Sequence, residues 1–512
     1  MYRDRPGVAD GTPPAPPARM PSVPPADSVL LTDLYQLTMA LGYWRAGRAD
    51  QEVAFHLYFR TAPFGGGYAV ACGIEPALDY LAGLRVDAAE LAYLETLRGD
   101  DDAPLFPRDF LDALGALRLT LDVDAVAEGE VVFPNAPMLR VRGPLLQAQL
   151  VETALLVHCG FPTLVATKAA RVCLAAGDDP VVEFGLRRSQ GPDGGLTAAR
   201  AAYVGGCAAT SNVLAGERFG IPVRGTHAHS WVMAFGDERE AFEAYAQAMP
   251  NNVTLLVDTY DTLEGVRHAI AVGLALRARG RRLAAVRLDS GDLAYLSTQT
   301  RRLLDDAGLP EVGIMATNDL DETIITSLKL QGAPISIWGV GTRLATAYDQ
   351  PALGAVYKLT AVKDAAGAWV PRVKVSEQAA KTTTPGLLQV RRYRWPSPDA
   401  DSGEFAADML VDESAALPDG PAVMVDPVDP TRRRRFDADA PHDTLLTPAL
   451  RAGRRVRPAE PLDAARDRAR ARLAGFHAGV KRLVNPHRYP VGLELGLSER
   501  RTALVLAARG AE

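Results

Sequence analysis

LAAVRLDSGDLAYLSTQTRRLLDDAGLPEVGIMATND, residues 283–319, decides the architecture. A short apolar run ends in a polar, glycine-containing turn, a stretch of helical length follows, and a second apolar run ends in another polar turn. Such runs read as strands buried on both faces, and a helix between two of them returns the chain so that they lie parallel. Moving outward, the same unit recurs from Val181 to Ala347, through PVVEFGLR (180–187), IPVRGTHAHS (221–230), VTLLVDTYD (253–261) and ISIWGVGT (335–342). Six runs of this kind predict an α/β fold with a parallel sheet, either a βα barrel or an open doubly wound sheet.

Both architectures collect ligands at the carboxyl ends of their strands. The reactive side chains of the segment stand at those ends: Glu183 and Arg187, His227 and His229, Asp258, Arg287 and Asp289, Thr317 and Asn318, Gly339 and Gly341. Any one loop needs polar residues, but six ends in succession point to a ligand-binding face. Gly339-Val340-Gly341-Thr342 would let the backbone approach an anion closely, with Thr317 and Asn318 as further donors. Arg287 suits a phosphate, and Asp289 suits sugar hydroxyls. The ligand implied is a phosphorylated sugar. His227 and His229, two apart on an extended segment, point the same way and so allow a metal site, yet no third and fourth zinc ligand is evident.

Composition sets the class. A chain of 512 residues, 47% hydrophobic with a formal net charge of −6, reads as an ordinary globular protein of several domains, with no balance favouring nucleic acid. The basic runs TRRRRF (431–436) and RAGRRVRP (451–458) have acidic neighbours such as DADAPHD (437–443), and read as solvated surface. Cys72, Cys159, Cys173 and Cys207 lack CxxC spacing and read as free thiols in a reducing compartment. Residues 1–27 are proline-rich, lack a secretory apolar stretch and read as a flexible tail, with Met20 a candidate start. No run is long and apolar enough to span a bilayer, so no membrane partner is expected and the cytoplasm is the expected location.

Several longer stretches carry a resemblance that spacing alone does not show. LLTDLYQLTMALGYW (30–44), YFRTAPFGGGYAV (58–70), EFGLRRSQGPDGGLTAARAAYVGG (183–206), GTHAHSWVMAF (225–235), RLDSGDLAYLS (287–297), GVGTRLATAYDQPALGAVYKL (339–359) and RLVNPHRYPVGL (482–493) resemble the nicotinate phosphoribosyltransferase family, in its order, from about Ser28 to the end. The resemblance implies an irregular βα barrel, taken here as residues 151–357. It also implies a smaller, discontinuous α/β domain formed by residues 28–150 and 358–512, with VPRVKVSEQ and LLQVRRYRW returning to it.

The implied reaction joins nicotinate to 5-phosphoribosyl-1-diphosphate, giving nicotinate mononucleotide and pyrophosphate, with ATP as co-substrate. By the resemblance His229 is the histidine that ATP phosphorylates, and Asp258 holds the ring's other nitrogen. Tyr35 stacks on the pyridine ring across a homodimer with shared active sites, and Arg187 or Arg188 binds the nicotinate carboxylate or a phosphate. Asp289 and Asp292 assist a Mg2+ held mainly by pyrophosphate oxygens, with no all-protein metal cage; Arg287 and the Gly339 to Thr342 turn stabilise phosphates, and Lys358 is a further phosphate contact. Glu183 lies where nicotinamide-using relatives keep an acid for amide recognition. His227 is a local variation bordering the site, and His487 is assigned no catalysis. The alternatives are a nicotinamide-using enzyme of the same fold and a catalytically dead nucleotide-binding relative.

Overall fold

The computed structural model describes residues 27–378, 381–396, 403–416 and 420–510. The flexible tail expected over residues 1–27 lies, apart from Asp27, outside the described residues.

The repeated unit of residues 283–319 folds as its pattern predicts. Six parallel strands form one sheet, in the order Ala209–Thr210, Val181–Glu183, Ile337–Val340, Gly313–Ala316, Ala285–Leu288 and Thr254–Leu256. Their side chains are buried almost throughout because helices cover the sheet. Three successive helices are punctuated alike. Asp261, Asp292 and Asp321 cap the helices Thr262–Ala278, Leu293–Asp306 and Glu322–Leu330, each accepting a backbone N–H of the first turn. Gly280, Gly308 and Gly332 follow those helices at φ of 68°, 70° and 70°, a backbone that costs glycine nothing and lets the chain reverse toward the next strand. Asp292, expected near magnesium, is therefore a helix cap whose Oδ1 is taken by Ala294 and Tyr295 N–H.

One expected strand is not a strand. IPVRGTHAHS lies between the two edge strands without regular pairing and closes the ring in another way. Thr210 donates its N–H to Pro222 O at 3.0 Å, and Arg224 donates to Thr210 O at 3.0 Å. On the other side Thr226 Oγ1 donates to Thr254 O, and buried His227 accepts the Leu256 N–H on Nε2 at 3.2 Å. Pro222 has no N–H to give to a ladder, and a side chain replaces one rung. His227 thus completes an irregular barrel.

Around the barrel, Ala355–Lys363 pairs antiparallel with Glu52–Phe59 in a seven-stranded sheet that also holds Leu139–Pro144 and Asp122–Ala125. Of the sequence expected to return there, Trp369–Pro371 does join this sheet. LLQVRRYRW instead supplies Leu388–Arg394 to a separate six-stranded mixed sheet with Phe405–Asp412 and Val491–Glu494. The two parts are locked by buried Arg392, which pairs with Asp408 at 2.8 Å and Glu130 at 2.6 Å beneath Phe133, Phe405 and Phe476. The helix Glu152–Ala176 ties barrel to sheet, its Thr163 and Thr167 hydroxyls accepting the N–H groups of Cys72 and Val70. Among the described residues the four cysteines are free thiols, and no helix is long and apolar enough to cross a membrane.

Candidate active site

The strand Ala285–Leu288 aims Arg287 into the barrel mouth. Its Nε donates to Thr317 Oγ1 at 2.9 Å, and its Nη2 donates to Asp289 Oδ1 at 2.9 Å. Thr317 Oγ1 in turn donates to the same Oδ1. This triangle joins the ends of two adjacent strands and leaves Arg287 Nη1 without a protein partner among the described residues. Burial raises the Asp289 pKa, but the Thr317 hydroxyl, the Arg287 guanidinium and His229 together outweigh it and hold the carboxyl below its usual range. The group is an anion at neutral pH.

His229 opens the short helix His229–Met233, its side chain 40% exposed. Its Nε2 faces Asp289 Oδ2 at 3.7 Å, and its Nδ1 meets Thr259 Oγ1 at 3.2 Å. The expected His229–Asp258 hydrogen bond is not formed. Asp258 turns its Oδ2 to the Asp289 N–H at 2.9 Å and to the Ser290 hydroxyl, anchoring the loop that carries Asp289. Its Oδ1 is buried and without a hydrogen-bond partner.

Glu183 is also committed. It is 1% exposed, its Oε1 accepts the Gly185 N–H, and its Oε2 accepts the Thr210 hydroxyl at 2.6 Å. Burial raises its pKa, and the two donors only partly counter this. Glu183 braces a turn, each of its oxygens already accepting one internal hydrogen bond.

The glycines divide by function. A Cβ on Gly339 would lie 2.6 Å from Thr317 Cγ2 and 3.0 Å from Phe184 Cδ2, so the lack of a side chain here makes room for those two. Gly341, which caps the turn Thr342–Ala345, lies against Phe184 O, 3.2 Å from where its Cβ would be. Gly185, which pattern reading passed over, would put a Cβ 2.2 Å from that of Ala345, so the turns after two adjacent strands interlock. Beside Thr342 a cavity of ≈ 590 Å³ opens between Phe161, Gln190, Thr346 and Tyr348.

Arg187 and Arg188 project from the exposed turn Leu186–Arg188, with no side-chain ion pair among the described residues. Asn318 is exposed and, with Asp319, takes positive φ (87° and 39°), bending the chain sharply behind Thr317. Phe184, also missed, holds its ring 5.8 Å from the Arg287 guanidinium. Glu183, Phe184, Gly185, His229, Asp258, Thr259, Arg287, Asp289, Thr317, Gly339 and Gly341 are therefore linked by contact at one mouth. Three other residues make no hydrogen bond or ion pair with this set among the described residues. Tyr35, 47% exposed on the helix Leu34–Arg45, has Glu152, Thr153 and Gln36 beside it. Lys358 pairs with His56 in the antiparallel sheet, its pKa lowered by burial. His487 gives its backbone N–H to Gly479 O.

Comparison with known proteins identifies the family of the chain. Three family models match in chain order: nicotinate phosphoribosyltransferase (NAPRTase) N-terminal domain over residues 30–159, the nicotinate phosphoribosyltransferase (NAPRTase) family over 180–384, and nicotinate phosphoribosyltransferase C-terminal domain over 393–500. The chain is 47% identical over 389 residues to the nicotinate phosphoribosyltransferase of Bacillus subtilis, covering 76% of this chain and 77% of that protein. It is 37% identical over 533 residues to the Homo sapiens protein of the same name, covering 93% and 96%. A crystal structure of human nicotinic acid phosphoribosyltransferase superposes with a TM-score of 0.79 at 34% identity, covering 92% of this chain and 99% of that one. The chain belongs to the nicotinate phosphoribosyltransferase family.

Proposed function

We propose that the protein transfers the phosphoribosyl group of 5-phosphoribosyl-1-diphosphate to the ring nitrogen of nicotinate, forming nicotinate mononucleotide and pyrophosphate, and that ATP hydrolysis is coupled to this transfer through phosphorylation of His229. The product is a pyridine nucleotide precursor of NAD, and the reaction is placed in the cytoplasm. The observation that carries the reading is the convergence of Arg287, Asp289 and Thr317 with His229 at one barrel mouth, in a chain of this family.

The transition state spreads positive charge over the ribose ring and negative charge over the leaving pyrophosphate. Arg287 serves the second need, since Nε and Nη2 are held by Thr317 and Asp289 while Nη1 remains to donate to a phosphate oxygen. Asp289, kept ionised, serves the first need and can accept ribose hydroxyls. Phe184 offers the pyridine ring an aromatic face. In a homodimer, Tyr35 of a second copy is exposed enough to supply another.

The donor set fits Mg2+. Asp258 Oδ1 is a buried oxygen without a partner, and Asp289 Oδ2 has no hydrogen-bond donor within reach, so two hard oxygens are available to an ion held mainly by diphosphate. When bound, the ion would neutralise charge on the leaving group.

Acid rather than amide is the favoured substrate. Both Glu183 oxygens are used internally, whereas Arg187 and Arg188 stand free to meet a carboxylate. The test is to incubate purified protein with phosphoribosyl diphosphate and Mg2+, with either nicotinate or nicotinamide and with or without ATP, and to identify the products. Nicotinate mononucleotide and pyrophosphate, formed faster with ATP, are expected. Faster use of nicotinamide would move the reading to the amide enzyme, and tight binding with no product would move it to an inactive relative.

A further inference from the structure

Lys168 lies inside the helix Glu152–Ala176 with its side chain 1% exposed, a place where an ammonium group is costly unless it is paired. Its partners are two carboxylates: Glu322 Oε2 lies 2.7 Å from Nζ, and Asp349 Oδ2 accepts from Nζ at 2.5 Å. Glu322 does not depend on this lysine, because its Oε1 accepts from Arg171 Nε at 2.8 Å. Burial raises the Glu322 pKa, but Lys168 and Arg171 outweigh it and hold the carboxyl below its usual range. Nor is Lys168 needed to tether the segment 342–351. Arg343 donates to Asp321 Oδ2 at 2.9 Å, and the Gln350 side chain accepts the Phe64 N–H at 2.9 Å. What Lys168 alone supplies is charge. Lys168, Arg171 and Arg343 balance Glu322, Asp349 and Asp321; since Glu322 has Arg171, and Asp321 has Arg343, the carboxylate left over without Lys168 is Asp349, which Arg343 approaches only to 3.8 Å. The side chain of Asp349 is 42% exposed, and it stands in the chain between Tyr348 and Pro351, both of which line the cavity beside Thr342.

We propose that Lys168 is a positioning residue that acts through Asp349: it cancels the carboxylate's charge beside the mouth cavity and so lets a diphosphate enter. This rests on the reading of the mouth as the site of phosphoribosyl diphosphate. The residues that line the cavity carry no charge of their own, so the field inside it is set by the charged groups next to them. An uncompensated Asp349 there repels every phosphate that approaches. The substrate keeps the same total charge from the bound state to the transition state, so this repulsion weakens both alike. It therefore raises KM and leaves kcat nearly as it was.

The experiment measures steady-state kinetics in phosphoribosyl diphosphate, at saturating nicotinate, ATP and Mg2+, for wild type, Lys168→Met and the double variant Lys168→Met with Asp349→Asn. In Lys168→Met, KM should rise about tenfold, the effect of one unit charge on another about 12 Å away at an effective dielectric of about 20, with kcat within about threefold of wild type. In the double variant KM should return to within about threefold of wild type, because the repelling charge is gone as well. Damage to the fold would not be repaired by altering a second side chain of the same cluster. Lys168→Gln, which keeps a donor toward Asp349 without the charge, carries the same expectation and replaces the methionine variant if that one does not fold. An unchanged KM in the Lys168 variants, or a KM raised as much in the double variant as in the single one, overturns the role of Lys168 while leaving the transfer reading intact. Wild type that forms no nicotinate mononucleotide from phosphoribosyl diphosphate overturns that reading, and this proposal with it.

Discussion

Asp258 holds Asp289: its Oδ2 accepts the Asp289 backbone N–H at 2.9 Å, with the Ser290 hydroxyl on the same oxygen. A carboxylate on one strand end therefore sets the place of the carboxylate on the next. Asp289 in turn faces His229 and binds Arg287, so Asp258 acts on the imidazole only through a loop.

Asp258→Ala leaves the Asp289 N–H and the Ser290 hydroxyl without their acceptor. A hydrogen bond to a charged group contributes about 1.5–3 kcal/mol, and a loop displaced by an ångström can lower kcat about 100-fold. Asp258→Asn keeps one oxygen and should fall between. Thermal melting and steady-state kinetics check both; a wild-type kcat in Asp258→Ala would contradict the loop-anchoring role.

Gly339→Ala should be worse than Gly341→Ala. The first places a methyl 2.6 Å from Thr317 Cγ2, pushing at the residue that binds Asp289 and Arg287, while the second meets its nearest atom at 3.2 Å. Overpacking of the first kind costs about 1–3 kcal/mol. The checks are melting temperature and KM for phosphoribosyl diphosphate. Equal effects at both positions would contradict the steric distinction between the two glycines.

Glu183→Gln should melt close to wild type, because one amide oxygen still accepts from Gly185 and the raised pKa shows that the buried site does not favour the charge. Glu183→Ala strands two buried donors and should lose about 1–3 kcal/mol. Nicotinate should remain the preferred substrate in Glu183→Gln. A switch toward nicotinamide in the competition assay would return Glu183 to substrate recognition.

His227 makes the barrel acid-sensitive. Burial lowers its pKa, the Ala228 carbonyl partly opposes this, and the nearby Arg287 guanidinium and His229 ring lower it further. The folded ring stays neutral to accept the Leu256 N–H, whereas the unfolded chain takes up a proton near pH 6.5. The contribution is thus complete above that pH and is lost as pH falls toward the lower folded value, by at most about 1.4 kcal/mol per unit. Denaturant unfolding between pH 7.5 and 5 should show a shallower loss in His227→Gln than in wild type; parallel curves would argue against the role.

Much of the mouth is legible in the sequence because a parallel sheet covered on both faces leaves polar groups few places to be except the strand ends. Arg287, Asp289 and Thr317 illustrate this, since each stands within two residues of where its strand stops. Which groups touch is not legible in the same way. Asp258 and Thr259 are adjacent, yet one turns to residues 289–290 and the other to His229, a choice made by neighbouring strands and not by spacing. Phe184 and Gly185 were passed over because an aromatic residue and a glycine after a strand look like packing and a turn until Arg287 and Ala345 are seen against them. The segment 221–230 carries strand-like composition, but Pro222 denies it a ladder, and only the position of Leu256 shows how His227 replaces the missing rung.

The central claim is that the imidazole at this mouth couples a nucleoside triphosphate to ribosyl transfer, and comparing initial rates of nicotinate mononucleotide formation for wild type and His229→Ala, with and without ATP, tests it most directly. The account predicts that ATP accelerates wild type and that the variant keeps a slow transfer indifferent to ATP. Equal acceleration by ATP in both proteins would contradict it.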